Sequence, residues 1–412
     1  MGKAKLIGPI KQLIPLDGLS LTGPLTDDQL NIIPDAGVMV NSELVLKIGD
    51  YNSLCKSYPD IIKEEIYEEA VILPGFVDSH THICYGGNRS GDYALRISGE
   101  NYQKILSSGG GIYDTVQKTR AASSNDLEES LLQRVSRHIN EGVTTIEVKS
   151  GYGLSVDEEI KMLEAIQSVN QETLADLIPT CLAAHVCPPE YNSAKEFLDY
   201  ISSELLPIII EKKLSNRIDI FVENNVFPVE LSKEYLLFAK NLGFDITVHA
   251  DQFTTGGSLV AAEVGACSAD HLEASKEKEI TLLVDCKVVC VVLPGASMGL
   301  GMHFGRARKI LDTGGILGIA TDWNPGSAPM GDLLMQAAVL SAAEKLSTAE
   351  TFSAITFRAA HALNLNDRGR LIPGNKADFI GFPISDFREI LYNQGKLKPE
   401  WIWKNGKKLI NQ

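Results

Sequence analysis

The chain has 412 residues, 44% of them hydrophobic and 22% charged, and a formal net charge of -15. That is enough apolar material for one large domain with or without a smaller companion, and the acidic balance argues against a nucleic-acid or anionic-membrane partner, which would want a basic face. The first residues lack the apolar core of a signal peptide and no apolar run is long enough to span a bilayer, so the expected location is the cytoplasm.

In chain order, residues 5–67 carry short apolar runs broken by Pro and Gly, such as 36–40 and 44–49, which predicts a small β-rich unit. Strands follow at 77–83, 143–149, 177–185, 218–223, 245–250, 266–272, 287–293 and 317–322. Amphipathic helical stretches lie between them, for example at 127–140, 156–167, 233–241, 276–285 and 305–313. The tail returns to the early β-rich style at 374–382 and 401–406. Eight parallel strands with intervening helices predict an α/β fold, a (β/α)8 barrel with its active site at the C-terminal strand ends. The barrel is assigned to residues 71–364, and a small β-sandwich domain to residues 1–70 and 365–412 together. Seven scattered cysteines, with no Cys-x-x-Cys pair, predict reduced thiols and no disulfide framework.

Five of the eight histidines, His80, His82, His185, His249 and His271, stand at or just past a predicted strand end. In a closed parallel barrel such residues surround one point, which makes that point a candidate metal site. His80 and His82 are two apart, so both side chains leave an extended segment on one face. His249 ends the fifth strand and Asp322 the eighth. Three imidazoles and a carboxylate suit Zn2+ or Fe2+/Fe3+ and leave room for a water, whose pKa the cation lowers. Asp322 can both touch the metal and accept that water's proton. The plainer alternative for Asp322 is a helix N-cap, a position that favours Asp.

These residues identify the chain as similar to the amidohydrolase superfamily. Seven longer stretches narrow the resemblance to the imidazolonepropionase family, across essentially the whole length. They are residues 78–89 around His80-Thr-His82, 109–112, 147–154 around Ser150-Gly-Tyr-Gly153, 184–191, 249–252, 268–273 and 320–327. The resemblance implies hydrolysis of 4-imidazolone-5-propanoate to N-formimino-glutamate, one metal held by His80, His82, His249 and Asp322, and a homodimer. It implies that Asp322 is the general base and that His271 stabilises the oxyanion or shuttles protons. It further implies substrate contacts from Arg89, Tyr152, His185, Gln252, Asn324, Gly326 and Ser327.

Many binuclear members of the superfamily have a carboxylated lysine at the end of strand four. Here that strand reads Ile218-Asp-Ile-Phe-Val-Glu223, with no lysine, so a single ion is expected. Lys149 is read as a structural charge near the site and Glu223 as a hydrogen-bonding support. His138, His303 and His361 are expected to be solvated or packing residues, and the glycine-rich loop with Met298 and Met302 is a candidate lid. Two rival readings share the ligands: an aminohydrolase acting on a nucleobase, which has no need of Arg89 for a propionate, and a silent metal-binding scaffold.

Overall fold

The computed structural model describes residues 4–100 and 109–409. Its first five strands are β1 (Lys5–Leu13), β2 (Ile33–Val40), β3 (Val45–Asp50), β4 (Ile62–Glu65) and β5 (Val71–Pro74). The eight that follow are β6 (Phe76–Asp78), β7 (Val143–Lys149), β8 (Asp176–Ala184), β9 (Arg217–Val222), β10 (Asp245–Ala250), β11 (Ser268–His271), β12 (Val289–Val292) and β13 (Leu317–Ile319). The last three are β14 (Phe379–Phe382), β15 (Trp401–Lys404) and β16 (Lys407–Lys408).

Strands β6 to β13 form one parallel sheet in chain order. Both faces of such a sheet are covered, so its side chains are buried whatever their polarity; every residue of β7 is buried, Glu147 and Lys149 included. The sheet closes just beyond its first and last strands. Asp322 donates its amide to the His80 carbonyl at 3.0 Å, and His82 donates to the Trp323 carbonyl at 2.9 Å. The Asp78 carboxylate adds two bonds from Thr321, at 3.0 Å from the amide and 2.6 Å from the hydroxyl. The barrel is thus closed by the segments that carry the candidate ligands.

The sequence reading placed the first strand at 77–83 and the eighth at 317–322, and both regular strands end sooner. β6 pairs with β7 only as far as Asp78 opposite Ile146. From there Thr81 bonds to the Glu147 side chain and carbonyl, at 3.1 and 2.6 Å, and its backbone pairs with Trp323 instead.

The terminal strands build a second, mixed sheet in the order β16-β15-β14-β5-β1-β2-β3, with β4 also pairing with β1. It has its own core, in which Val38 and Val45 from one end of the sheet meet Phe379 and Trp403 from the other. Such a meeting requires the sheet to curl around that core. Val71–Pro74, read from sequence as part of the barrel unit, pairs with β1 and β14. The apolar run 71–78 therefore serves two sheets, one on each side of Gly75.

The two sheets are joined by ions. Asp176, the first residue of β8, accepts from Arg368 Nη1 at 2.6 Å, Lys376 Nζ at 2.7 Å and Lys404 Nζ at 3.0 Å. Burial pushes the Asp176 carboxyl up, but Lys404, Lys376 and Arg368 outweigh it and hold the group down to about 2. A carboxyl depressed in the folded state contributes stability above its unfolded pKa, and that contribution is lost as pH falls through the folded value. Asp176→Asn is therefore expected to cost about 2 kcal/mol near neutral pH. The difference between wild type and variant should shrink as pH falls from about 4 to 2. Denaturation midpoints measured across that range test it; a constant difference would remove the assignment.

Candidate metal centre and active site

His80 and His82 lie in the extended segment after β6, His249 is the penultimate residue of β10, and Asp322 follows β13. All four side chains are buried. The Nε2 atom of His82 stands 3.2 Å from His80 Nε2 and 3.2 Å from His249 Nε2. Asp322 Oδ1 stands 3.5 Å from His80 Nε2 and 3.3 Å from His82 Nε2. Donor atoms about 2.0–2.2 Å from one ion stand about 3 Å apart, so these separations are compatible with a shared cation. The donors fall into two overlapping groups, His80 with His82 and Asp322, and His80 with His249 and His271.

The chemistry behind the rings points the same way. His80 Nδ1 is 2.7 Å from Asp270 Oδ2, and His249 Nδ1 is 2.8 Å from Asp219 Oδ2. Asp270 accepts the hydrogen bond of a His80 proton on Nδ1, and the Asp219 carboxylate faces the Nδ1 edge of His249, an arrangement that favours the tautomer with the Nε2 lone pair directed inward. Burial pushes the His249 imidazole down to about 3 and holds His82 well below its ordinary range, so both are neutral near pH 7. Burial and Lys149 act to lower His80 as well, but Asp270 and Asp322 outweigh them and raise it to about 9. That excess of negative field at the shared point is what a cation relieves.

Lys149 supports the arrangement from beneath. Its ammonium is fully buried, 2.7 Å from Glu147 Oε1 and 2.9 Å from Asp219 Oδ2. Asp219 thus joins Lys149 to His249, while Glu147 joins it to Thr81, between the first two histidines. Burial opposes the charge on Lys149, but Asp219 and Glu147 raise its pKa above the ordinary range.

Asp322 starts no helix: the next one, Leu333–Glu344, is capped by Asp332. Its Oδ1 faces the histidines, and its Oδ2 accepts from Asn324 Nδ2 at 2.9 Å and Ser327 Oγ at 3.3 Å. The Asp322 backbone has φ +52°, and His271 at the end of β11 has φ +88°, both in the left-handed region that a side chain disfavours.

A cavity of about 850 Å3 opens onto this centre. Its wall includes Arg89, Tyr152, His185, Gln252, His271, Asn324, Gly326 and Ser327, so every substrate contact expected from the resemblance reaches one space. His185 Nδ1 is 3.0 Å from the Gly151 carbonyl and its ring stacks on His82, 5.3 Å between centroids. Tyr152 sits in a turn whose amides, Gly151, Gly153 and Leu154, all point at the buried Glu159 carboxylate at 2.7–3.0 Å. Gly153 is needed there for packing: a Cβ would lie 2.6 Å from the Glu158 and Glu159 backbone, which is a closer reason than approach to a ligand. Asn324 spends its amide inside its own turn, accepting from Gly326 and Ser327 at 2.8 Å each while donating to Asp322 and Ser327. Glu223 accepts from the Phe253 and Thr254 amides at 2.8 and 3.2 Å, steadying the loop that carries Gln252.

His138 is buried, with Nε2 3.2 Å from Asp78 and its ring edge-on to Trp323, which is a packing role. His303 is exposed and His361 half-buried. The candidate lid segment begins as a helix, Pro294–Leu300, and Leu300 and Met302 touch the cavity. The sequence reading missed Asp219, Asp270, Glu147, Glu159, Glu273 and Arg96. Three of them carried a legible sign: Glu147, Asp219 and Asp270 are carboxylates inside otherwise buried strands, which need a partner.

A closed parallel barrel with clustered histidines and an aspartate at the C-terminal strand ends places the chain among hydrolases of the amidohydrolase type. The amidohydrolase family model matches residues 214–406. An imidazolonepropionase of Bdellovibrio bacteriovorus is 35% identical over 411 residues, 98% of this chain and 96% of its own. One of Bacillus cytotoxicus is 41% identical over 343 residues, 82% of this chain and 81% of its own. The chain belongs to the imidazolonepropionase family. Among solved structures, an adenosine deaminase from Xanthomonas campestris with bound zinc shares the fold, with TM-score 0.72 and 16% identity over 99% of this chain and 93% of that one.

Proposed function

We propose that the chain hydrolyses the ring amide bond of 4-imidazolone-5-propanoate to N-formimino-L-glutamate, the third step of histidine degradation. The observation that carries this reading is one cavity that holds both the His-His-His-Asp donor point and the Arg89 guanidinium. A cyclic amide with an anionic tail needs both, whereas a nucleobase aminohydrolase would not need the arginine.

A bound Zn2+ or Fe2+/Fe3+ supplies Lewis acidity and lowers the pKa of water. His80, His82, His249 and Asp322 would hold it. Asp322 accepts a proton from the attacking water; its carboxyl, raised by burial but lowered more by His80 and His82, is ionised at neutral pH. The water oxygen bonds to the ring carbonyl carbon, the carbon–nitrogen bond breaks, and the nitrogen takes a proton. His271, 3.4 Å from Glu273 Oε2 through Nδ1, lines the cavity, where it would stabilise the oxyanion or pass the proton from Asp322 to the leaving nitrogen. Arg89, whose Nε is held by Asp92 at 2.8 Å, keeps its terminal nitrogens for the propionate. Tyr152, His185 and Gln252 line the ring, with Asn324, Gly326 and Ser327 along the carboxylate wall. Gln252 is an amide and cannot serve as the base. The barrel strands β6 to β13 carry this chemistry, and the mixed sheet, which also takes in Val71–Pro74, braces them. A homodimer is expected from the family; light scattering at twice the chain mass tests it.

The deciding experiment gives purified, metal-analysed protein freshly generated 4-imidazolone-5-propanoate, follows loss of its ultraviolet absorbance, and runs Arg89→Ala alongside. Wild type should turn over, and the variant should show KM raised about 10- to 100-fold, the loss expected for a charged hydrogen bond. A folded, metal-loaded sample without turnover would end this reading and direct the search to other cyclic amides. Metal analysis of the active protein decides between zinc and iron.

A further inference from the structure

The helix Ser90–Ile97, whose N-cap is Arg89, brings a second guanidinium, from Arg96, to the same cavity. Arg96 Nη1 donates to two backbone carbonyls, Gly299 at 3.0 Å and Gly326 at 3.2 Å. Those carbonyls belong to different strand ends: Gly299 to the helix after β12, Gly326 to the turn after β13. One side chain therefore ties three of the loops that shape the cavity.

The tie falls where the loops are already pressed together. A Cβ on Gly299 would lie 1.6 Å from the Ser327 carbonyl oxygen, so this glycine exists to let the two backbones meet. A Cβ on Gly326 would lie 2.4 Å from Arg89 Nη1, so the guanidinium that faces the propionate rests against this same turn. The one carboxylate on this helix face, Asp92, is taken up by Arg89 Nε at 2.8 Å and the Gly111 amide at 2.9 Å. Among the described residues Arg96 makes no ion pair, and its two hydrogen bonds go to neutral carbonyls. The two guanidiniums, Arg89 and Arg96, line this part of the cavity together with Glu100.

We propose that Arg96 is a positioning residue that makes this wall specific for a carboxylate: through Gly326 and Gly299 it fixes the Gly326–Ser327 backbone against Arg89. The inference rests on the functional reading above and deepens it. A residue that acts this way governs binding of the charged tail and leaves the ring chemistry alone. It is a different prediction from that for a general structural arginine, whose loss would weaken every substrate alike.

The test compares the metal-loaded wild type with Arg96→Met and Arg96→Lys, using 4-imidazolone-5-propanoate and its uncharged methyl ester. Arg96→Met should raise KM for the acid about tenfold or more, with kcat changed less than about threefold and KM for the ester nearly unchanged. Arg96→Lys, which keeps the charge and part of the tie, should fall between them. Equal proportional losses for acid and ester, no change for either, or a collapse of kcat accompanied by a fallen thermal midpoint in both variants would each overturn the proposal. Absence of turnover in wild type would remove the functional reading and this inference with it. Wild-type turnover with an unchanged acid-to-ester ratio in the variants would remove this inference alone.

Discussion

His249→Ala should lower kcat/KM by about a thousandfold or more, because the metal's contribution to the reaction is several kcal/mol and this substitution removes a ligand. The ring supplies one of three inward-facing Nε2 atoms, 3.2 Å from that of His82. Alanine leaves two imidazoles and a carboxylate; the neighbouring imidazoles of His271 and His185 lie 5.2 and 6.0 Å from the His249 ring between centroids. Metal content by elemental analysis should fall below one ion per chain in parallel with activity. The fold should survive, since Asp219 keeps its bond to Lys149 at 2.9 Å when its histidine partner is gone. Chelation of the wild type should reproduce the loss and added zinc or iron should reverse it. A variant that keeps both its metal and its rate would show that the ion is held elsewhere.

Lys149→Met should cost about 3–5 kcal/mol of stability, the usual result of breaking a buried ion network from one side. The ammonium sits between Glu147 and Asp219, and all three side chains are fully buried. Removing it leaves two carboxylates facing each other without solvent or counter-charge. A denaturation midpoint measured on the metal-loaded protein reads the loss directly. Adding Glu147→Gln to the variant should recover part of it, because one of the stranded charges is then neutral. A midpoint that does not move would mean that the two carboxylates find other partners, and the network would have to be redrawn. The metal centre should suffer as well: Asp219, released from the lysine, no longer holds His249 in one orientation.

The two predictions differ in how far they could be foreseen. His249 was legible because its strand, residues 245–250, has an apolar β pattern ending in a histidine, and the chain repeats that arrangement at other strand ends. Lys149 was legible only as a charge at a strand end. Its partners, Glu147 and Asp219, lie on β7 and β9, two strands that are not neighbours in the sheet. Strand boundaries at the ligands were read too long for a related reason. Residues 79–83 keep an extended shape, yet they bond to side chains and to Trp323, and no local pattern distinguishes that from a regular ladder.

The amino-acid sequence by itself determined the alternation of strands and helices, the terminal β-rich segments, and the set of histidines and the aspartate that could face one point. These are local properties: side-chain periodicity, turn residues and motif spacing reveal them before any contact is known. The tertiary structure alone decided which nitrogen of each histidine is turned inward, because that depends on Asp270, 190 residues from His80, and on Asp219 behind His249. It alone decided that the barrel closes through the ligand segments and that Arg96 reaches a carbonyl 230 residues away. Hydrogen bonds and buried charges are satisfied by whatever the fold brings within reach, and chain separation carries no record of that.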